Sequence, residues 1–414
     1  MSGRLRPRLA LQIPILAALL SALVSACSAP VHKAPPLVPP PAAPAAEKPE
    51  TAPEIKAVIP LPDLPPQARF WEPLLKRLNA EGFDGAELAE LFSRPGMQFD
   101  PRPMRFKLRE LYRLLYGADL TRQVQVGLIR LGYTPGPADG MAGEHTRLAI
   151  QAFQRVHGLP ADGQPSPNLL GRIEADLALP EDRRPKPVIT LVEDVFRRLV
   201  YRGYLTPQRL GEAKAFLLDH RPWLQEMERR YGVPAEVAVG ILRVETNLGQ
   251  YLGDESALVI LASMALCSEF ERIEPYVTDL ALDQDRKEWL KGQALDRGEW
   301  AYQELKALLE YARMNRRNPL DLPGSIYGAI GISQFMPTNA LLYGADGDGD
   351  GRVDLFSLPD AIFSIGRYLR EHGWQGDMSA YEKKKEVLYR YNRSTPYVNT
   401  VLAVADYLAS FKAE

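Results

Sequence analysis

Residues 235–249 constrain the fold of this chain more than any other segment. They follow Tyr231-Gly-Val-Pro, a helix stop and a helix start, and run through EVAVGILRVETNL to Gly249. Nearly every residue before Glu245 is apolar, so the predicted helix has almost no polar face. A helix that is apolar all round is normally buried. We therefore predict a core helix that ends near Gly249.

Glu245 lies near the C-terminal end of this predicted helix, one turn after Ile241 and Leu242. Burial disfavours the charged form of a carboxyl group, and the negative end of the helix dipole acts in the same direction. Both effects favour a protonated acid, as a general acid acting on a glycosidic oxygen requires. Two other interpretations stay open, a helix end that meets solvent or an ion pair with a distant cation. Arg243 is not that cation, because residues i and i+2 of a helix do not face each other.

The chain after about residue 188 has the apolar spacing of helices throughout. Pro207, Pro234 and Pro359 stand at positions that suit the first turn of a helix. No alternating run long enough for a strand occurs, so we predict an all-α domain over residues 188–414. Upstream, FWEPLLKRLNAEGFDGAELAELFS predicts two short helices, and a further periodic segment covers residues 106–116.

The N-terminus has the layout of an export signal. Three arginines precede an apolar run over residues 9–24, which is too short to span a membrane. The run ends in Val24-Ser-Ala-Cys27, which resembles the lipobox of bacterial lipoproteins. The resemblance implies a signal peptide over residues 1–26, a lipidated Cys27 as membrane anchor and, with Ser28 next, an outer-membrane lipoprotein facing the periplasm. An ordinary signal peptide with an incidental cysteine is the alternative.

Residues 27–66 are predicted to form a linker. Proline and alanine dominate them, a composition that favours extended polyproline geometry and cannot pack a core, so we expect disorder. The whole chain has a formal net charge of −2 and no block of like charges, which argues against a nucleic-acid partner. Cys267 is the second of two cysteines, so acylation of Cys27 would exclude an intramolecular disulfide.

Residues 118–180 form a segment of different character. Two apolar stripes predict short helices, and Pro-Ala-Asp-Gly occurs twice, ending at Gly140 and at Gly163. Together, LGYTPGPADG and AIQAFQRVHGLPADG resemble the small three-helix peptidoglycan-binding domain that accompanies many cell-wall enzymes. The resemblance implies peptidoglycan glycan strands as the partner and a role in localisation. A generic helical spacer is the alternative.

Four further blocks carry a second resemblance. They are VPAEVAVGILRVETNLGQYLG, PLDLPGSIYGAIGISQFMPTNA, ADGDGDGRVDLFSLPDAIFSIGRYLREHGW and YNRSTPYVNTVLAVADYL. In this order they resemble the membrane-bound lytic murein transglycosylase B family. The resemblance implies a lysozyme-like helical domain that cleaves the β-1,4 bond between N-acetylmuramic acid and N-acetylglucosamine and leaves a 1,6-anhydro ring. Residues 67–117 resemble the start of the same domain, so the binding module would be inserted in it.

The resemblance assigns roles to individual residues. Glu245 would be the catalytic acid and base, and Ser325, Gln334, Tyr391 and Asn392 would bind substrate. Each binding residue also has a plain structural interpretation, as a cap, a core amide or core packing. One catalytic carboxylate suffices where the substrate's own 6-hydroxyl is the nucleophile, and Asp254 and Glu255 are expected in a solvated loop. A hydrolytic muramidase of the same fold and an inactive cell-wall scaffold are the alternatives.

The sequence also departs from that family. Only GDMSAYEKKKEVLYR separates Trp374 from Tyr391, where family members commonly carry a longer insertion that forms a small β subdomain beside the cleft. Substrate contacts from such a subdomain are therefore not expected here.

An acidic loop, DGDGDGRVD from Asp346, resembles an EF-hand with an altered end. Asp346, Asp348 and Asp350 stand at positions 1, 3 and 5, Arg352 offers its carbonyl at position 7, and Asp354 follows at position 9. Ser357 occupies position 12, where a glutamate normally closes the site. Asp360 at position 15 matches the longer calcium loop of the transglycosylase family. We predict a structural Ca²⁺ here, with a solvated acidic turn as the alternative, and no organic cofactor.

Overall fold

A computed structural model describes residues 60–116, 118–185, 200–280 and 282–413. The signal peptide, Cys27 and most of the linker predicted for the N-terminus lie outside these residues.

The described residues are mainly helical, which confirms the all-α prediction. The α-helices are α1 (Glu72–Ala80), α2 (Gly85–Phe92), α3 (Arg102–Tyr116), α4 (Ala118–Arg130), α5 (Glu144–Val156), α6 (Pro167–Leu177), α7 (Pro207–Asp219), α8 (Arg221–Tyr231), α9 (Ala235–Thr246), α10 (Ala257–Leu266), α11 (Gln284–Met314), α12 (Pro337–Tyr343), α13 (Leu358–Glu371), α14 (Tyr381–Tyr391) and α15 (Thr395–Ala409). Short 3-10 helices cover Arg69–Trp71, Glu181–Arg183, Arg202–Tyr204, Phe270–Arg272, Glu274–Tyr276, Pro319–Asp321 and Ser410–Ala413.

Two details differ from the sequence predictions. Helix α9 ends at Thr246 rather than near Gly249, because Asn247 and Leu248 both adopt positive φ and the Leu248 N–H turns back to the Leu242 carbonyl at 2.9 Å. Glu255 was expected in a loop, but Glu255–Ser256 forms strand β1, which pairs antiparallel with β2 (Pro323–Gly324). Glu255 is nevertheless exposed, as expected.

Helix α9 lies at the centre of the larger core, and every residue in it is buried. Helix α9 packs extensively against α15. The two backbones approach closely at Gly240, where an added Cβ would lie 2.6 Å from the Val401 carbonyl oxygen. Helices α10 and α11 form the second extensive pair in this core. The central position of α9 fixes its C-terminal end, and with it Glu245, in a rigid frame.

The described residues have two separate hydrophobic cores. The larger one joins side chains from residues 68–112 with side chains from residues 213–408. The smaller one contains only residues of α4, α5, α6 and the turns between them, with Phe153 and Ile173 fully buried. No helix in the described parts of the chain is both long and apolar enough to cross a membrane.

Candidate active site

Glu245 lies in the last turn of α9, and its side chain is 8% exposed. Burial raises its pKa to about 7. The Tyr397 hydroxyl faces the carboxyl and lowers this pKa in part, but the contact falls short of good hydrogen-bond geometry, so burial dominates. Glu245 is therefore held near the midpoint between its protonated and ionised forms at neutral pH.

A cavity of about 100 Å³ opens beside the Glu245 carboxyl. All four side chains predicted to bind substrate, Ser325, Gln334, Tyr391 and Asn392, line it together with Glu245. Sequence reasoning missed its remaining lining residues, which are Ala329, Phe335, Met336, Asn339 and Tyr368. Three of these, Phe335, Met336 and Asn339, follow Gln334 by one, two and five residues, so its QFMPTNA block held the signal. Tyr368 had no comparable signal, because α13 brings it in from a distant segment.

Ser325 and Gln334 lie in the segment between β2 and α12, which contains two successive turns. The Ser325 hydroxyl accepts hydrogen bonds from the backbone N–H groups of Tyr327 at 3.3 Å and Ala329 at 3.1 Å. Gln334 adopts a left-handed conformation with φ of 50°, and its amide nitrogen donates to the Gly331 carbonyl at 2.9 Å. Such a conformation costs free energy in a residue other than glycine and often marks a functional site.

Tyr391 and Asn392 enter the cavity from the end of α14. The Tyr391 hydroxyl donates to the Ser333 carbonyl at 2.6 Å, so its ring, rather than its hydroxyl, faces the cavity as a wall. The Asn392 side-chain oxygen is buried and has no hydrogen-bond partner among the described residues. A buried acceptor without a partner costs free energy unless a ligand supplies the donor.

A second cavity, of about 60 Å³, also borders Glu245. Its other lining residues are Gly203, Tyr204, Arg209, Val244, Thr246, Asn247 and Tyr251. Asp254 and Glu255 do not line either cavity: Asp254 accepts a hydrogen bond from the Tyr251 hydroxyl at 2.7 Å, and Glu255 pairs with Arg102 at 2.8 Å. Glu245 is the only acidic side chain among the described residues that line these two cavities.

The acidic loop brings three of the predicted metal ligands together. Single carboxylate oxygens of Asp346, Asp348 and Asp360 lie within 4.8 Å of one another. Asp360 is 1% exposed, and burial, with a smaller contribution from the other two carboxylates, raises its pKa. Asp360 also accepts hydrogen bonds from the backbone N–H groups of Gly347 at 2.8 Å and Asp354 at 2.6 Å, which tie the loop to α13. Clustered oxygen ligands that repel one another fit a hard divalent cation.

Asp350 and Arg352, also predicted as ligands, stand apart from this group. Both side chains are exposed, and the Asp350 carboxylate accepts a hydrogen bond from the Arg352 backbone N–H at 2.8 Å. The exposed position of Asp350 has a local cause. An aspartate side chain readily accepts a hydrogen bond from the backbone N–H two residues later, and this bond stabilises the turn that contains it.

The smaller core carries two copies of one polar clamp, which explains the repeated Asp-Gly turns. Gln125 accepts from the Gly140 N–H at 2.7 Å and donates to Asp139 at 3.0 Å. Gln154 repeats the pattern, accepting from Gly163 at 3.0 Å and donating to Asp162 at 2.7 Å. The sequence showed the turns but not their glutamine partners.

Comparison with known families and proteins gives two domain matches. The "Transglycosylase SLT domain" family matches residues 194–385, a range that contains Glu245, Ser325 and Gln334. The "Putative peptidoglycan binding domain" family matches residues 118–173.

One sequence relative and several solved structures are similar to the chain. The membrane-bound lytic murein transglycosylase B of Escherichia coli (strain K12) is 33% identical over 180 residues, which cover 43% of this chain and 43% of that protein. The chain thus aligns with less than half of that relative's length. The structure of the Escherichia coli lytic transglycosylase Slt35 in complex with calcium is 22% identical in sequence, with a TM-score of 0.42. The match covers 66% of this chain and 95% of the Slt35 chain.

The soluble lytic transglycosylase SltB1 from Pseudomonas aeruginosa gives a similar result. It is 21% identical, with a TM-score of 0.41, and the match covers 65% of this chain and 99% of that one. By sequence, residues 194–385 match the transglycosylase SLT domain family, residues 118–173 match the peptidoglycan-binding domain family, and 180 residues of the chain are similar to membrane-bound lytic murein transglycosylase B.

Proposed function

We propose that the protein is a peptidoglycan lytic transglycosylase in which Glu245 is the single acid and base. The observation that carries this proposal is the isolation of the Glu245 carboxyl, the only acid among the described residues that line the two cavities. A pKa of about 7 suits a group that must give up a proton and then take one back. The name of the Escherichia coli relative supports the same reaction class.

The reaction needs two proton transfers and no water. Protonated Glu245 donates its proton to the oxygen of the β-1,4 bond between N-acetylmuramic acid and N-acetylglucosamine, and the bond from that oxygen to muramic acid C1 breaks. The 6-hydroxyl of the same muramic acid then bonds to C1, and the Glu245 carboxylate accepts its proton. The product carries a 1,6-anhydro ring, and Glu245 returns to its starting state. Ordinary glycosidases need a second carboxylate, as a nucleophile or to activate water, which the substrate's own hydroxyl makes unnecessary here.

The neighbours of Glu245 would bind the N-acetyl sugars. The Asn392 side-chain oxygen would accept the N–H of an acetamido group, because it is buried and lacks a partner among the described residues. Ser325 would donate its hydroxyl proton, since its oxygen already accepts from two backbone N–H groups. Gln334 would offer its amide, and the Tyr391 ring would pack against a pyranose face.

A structural Ca²⁺ would occupy the acidic loop. Asp346, Asp348 and Asp360 would hold it, and the carbonyl of Arg352 and an exposed ligand such as Asp350 would complete the oxygen set. The ion would neutralise the mutual repulsion of the carboxylates and fasten the loop to α13. This helix also carries Tyr368 of the cavity wall.

The binding module would hold the enzyme on glycan strands from within the catalytic domain. The shared core of residues 68–112 and 213–408 supports a catalytic domain composed of residues 67–117 and 188–414, with residues 118–180 inserted between them. Lipidation at Cys27 would anchor the protein in the outer membrane, facing the periplasm, and the name of the membrane-bound relative supports such an anchor.

Deletion tests the insertion. Replacing residues 119–179 with a short linker is expected to leave a folded, cleaving domain, as measured by circular dichroism and by release of soluble fragments from sacculi. A stable and active protein that begins at Val188 would refute the insertion, because it would lack α1 to α3.

Digestion of purified sacculi tests the reaction. The wild-type protein is expected to release fragments that are one water lighter than hydrolysed fragments. The Glu245→Gln variant is expected to release such fragments far more slowly. Products of full hydrolysed mass would instead favour a muramidase, and binding to sacculi without any release would favour a scaffold. Equal activity in both proteins would refute the role of Glu245.

A further inference from the structure

The second cavity beside Glu245 is lined by one cation, Arg209. Arg209 is the only cationic side chain among the described residues that line either cavity. Its guanidinium donates to the side-chain oxygen of Asn247, which caps the end of α9. No carboxylate of the described residues lies within ion-pair distance of Arg209.

Behind Arg209, a second guanidinium adds to the positive charge. Arg243 is fully buried and pairs with Glu212 at 2.7 Å, while its Nε and Nη1 groups have no partner among the described residues. Burial lowers the pKa of Arg243, and repulsion from Arg209 adds to that effect. Two guanidinium groups thus share one carboxylate, so the group carries one net positive charge.

A guanidinium that lines a partly buried cavity and has no carboxylate within ion-pair distance among the described residues suits an anionic ligand, because it can donate charge-assisted hydrogen bonds to it. The cavity also limits the size of that ligand. At about 60 Å³ it holds several waters, since one water needs roughly 10–15 Å³. A carboxylate with its adjoining carbon fits this volume, whereas the neighbouring cavity is the larger of the two.

We propose that Arg209 is a specificity-determining residue that binds a carboxylate carried by the muramic acid substituent of the substrate. This inference rests on the proposed function, because Glu245 borders both cavities and a sugar at its carboxyl would direct that substituent into the second one. The carboxylate has two possible sources, which share one chemistry. It belongs to the peptide stem, or, where the stem is absent, to the lactyl group itself.

Three substrates separate these sources. They are glycan strands with peptide stems, strands whose stems an amidase has removed and whose lactyl carboxylates are free, and stripped strands whose lactyl groups have been converted to neutral amides. Arg209→Gln is expected to raise KM roughly tenfold or more on strands that carry the bound carboxylate, because a charge-assisted hydrogen bond is lost. On the amidated strands, Arg209→Gln and wild type should have equal KM.

The matched control is Arg313→Gln, which removes an arginine that is 76% exposed in α11 and lines neither cavity. An increase in KM of Arg209→Gln that is confined to stem-bearing strands identifies the peptide stem as the source of the carboxylate, and an increase that is confined to stripped strands identifies the lactyl group. The same rise in KM on amidated strands would overturn the proposal, since it would mean that Arg209 acts only through the structure of α7 and α9.

A binding measurement separates this proposal from the proposed reaction. Muramyl dipeptide carries a peptide carboxylate, and N-acetylmuramic acid carries a free lactyl carboxylate. Both ligands and their neutral amides can be titrated against Glu245→Gln and against Glu245→Gln with Arg209→Gln, followed by tyrosine and tryptophan fluorescence. At least one anionic ligand should bind roughly tenfold more tightly than its amide, and only where Arg209 is present. Equal affinities of both anionic ligands and their amides in both proteins would overturn the proposal, whereas absence of cleavage by the wild type would count against the proposed reaction alone.

Discussion

Two buried glutamates of the larger core, Glu245 and Glu304, have opposite surroundings. Glu304 lies in α11, is 5% exposed and accepts hydrogen bonds from the backbone N–H of Thr338 at 2.9 Å and from its hydroxyl at 2.8 Å. Glu245 is buried to a similar degree but has no well-formed hydrogen bond among the described residues and opens onto two cavities.

Burial raises the pKa of both carboxyl groups. The difference between them therefore lies in their partners rather than in their exposure. Glu304 uses both oxygens to hold the start of α12, next to Asn339 of the cavity wall, whereas the Glu245 carboxyl borders that cavity directly. Burial alone does not distinguish the two glutamates, and the proposed role of Glu245 as an acid rests on its position beside the cavities.

The largest expected effect distinguishes the two residues in catalysis. Glu245→Gln should lower the rate of fragment release from sacculi by about 10³-fold, within the usual contribution of a general acid. Glu304→Gln should keep kcat within about tenfold, because residue 304 never exchanges a proton with the substrate. Similar losses of kcat in the two variants would contradict the proposed difference between Glu245 and Glu304.

The pH dependence of stability sharpens the comparison. The pKa of Glu245 is about 7 in the folded protein against an ordinary value of 4.5, so the folded state binds more protons than the unfolded state between these values. Stability should therefore fall by about 3 kcal/mol as pH rises through this window, and Glu245→Gln should remove that component. Urea unfolding at about pH 4.5 and pH 8 measures it. An unchanged pH dependence in Glu245→Gln would contradict the raised pKa.

The same pKa predicts how activity depends on pH. Because the first step requires protonated Glu245, kcat should decline as pH rises above about 7. A kcat that is constant well above that pH would be inconsistent with a general acid of this pKa.

A fourth prediction concerns stability at one pH. Glu304→Gln should lower the free energy of unfolding by about 1–3 kcal/mol, because the two carboxylate oxygens each accept one hydrogen bond from Thr338 and an amide replaces one of them with an NH2 group that cannot accept. Thr338→Val is the matched variant, since it removes the hydroxyl and leaves the backbone N–H. Urea unfolding should rank wild type first, Thr338→Val second and Glu304→Gln third. No loss in either variant would mean that the cap of α12 contributes nothing.

The smallest effect concerns a third buried carboxylate, Asp360. With a dissociation constant of about 10⁻⁴ to 10⁻³ M, 1 mM Ca²⁺ should stabilise the wild type by about 0.4–1.4 kcal/mol. Asp360→Asn should abolish this gain, and Asp377→Asn, at an exposed acid outside the loop, should retain it. A Ca²⁺ effect that survives in Asp360→Asn would place the ion elsewhere.

Local sequence predicted the elements better than their contacts. Pro207 and Pro359 stand in the first turns of α7 and α13, as expected, and the apolar run before Glu245 forms the buried helix α9. These features depend on a few neighbouring residues, through fixed φ of proline and the helical spacing of apolar side chains.

Contacts between distant segments could not be predicted from a single sequence. Glu304 and Thr338 are 34 residues apart, and Arg209 enters the second cavity from a helix 36 positions before Glu245. No local pattern encodes such distances. The exact end of α9 was missed for another reason. Asn247 and Leu248 both have left-handed backbone conformations, which leucine rarely adopts, so the sequence did not indicate a helix end there.

Digestion of sacculi by the wild-type protein in water enriched with oxygen-18 tests the central claim most directly. If Glu245 acts alone and the 6-hydroxyl is the nucleophile, the released muramyl ends carry no oxygen-18 and are one water lighter than hydrolysed ends. Incorporation of one oxygen-18 atom at the new reducing end would show that water attacks, and would contradict the account.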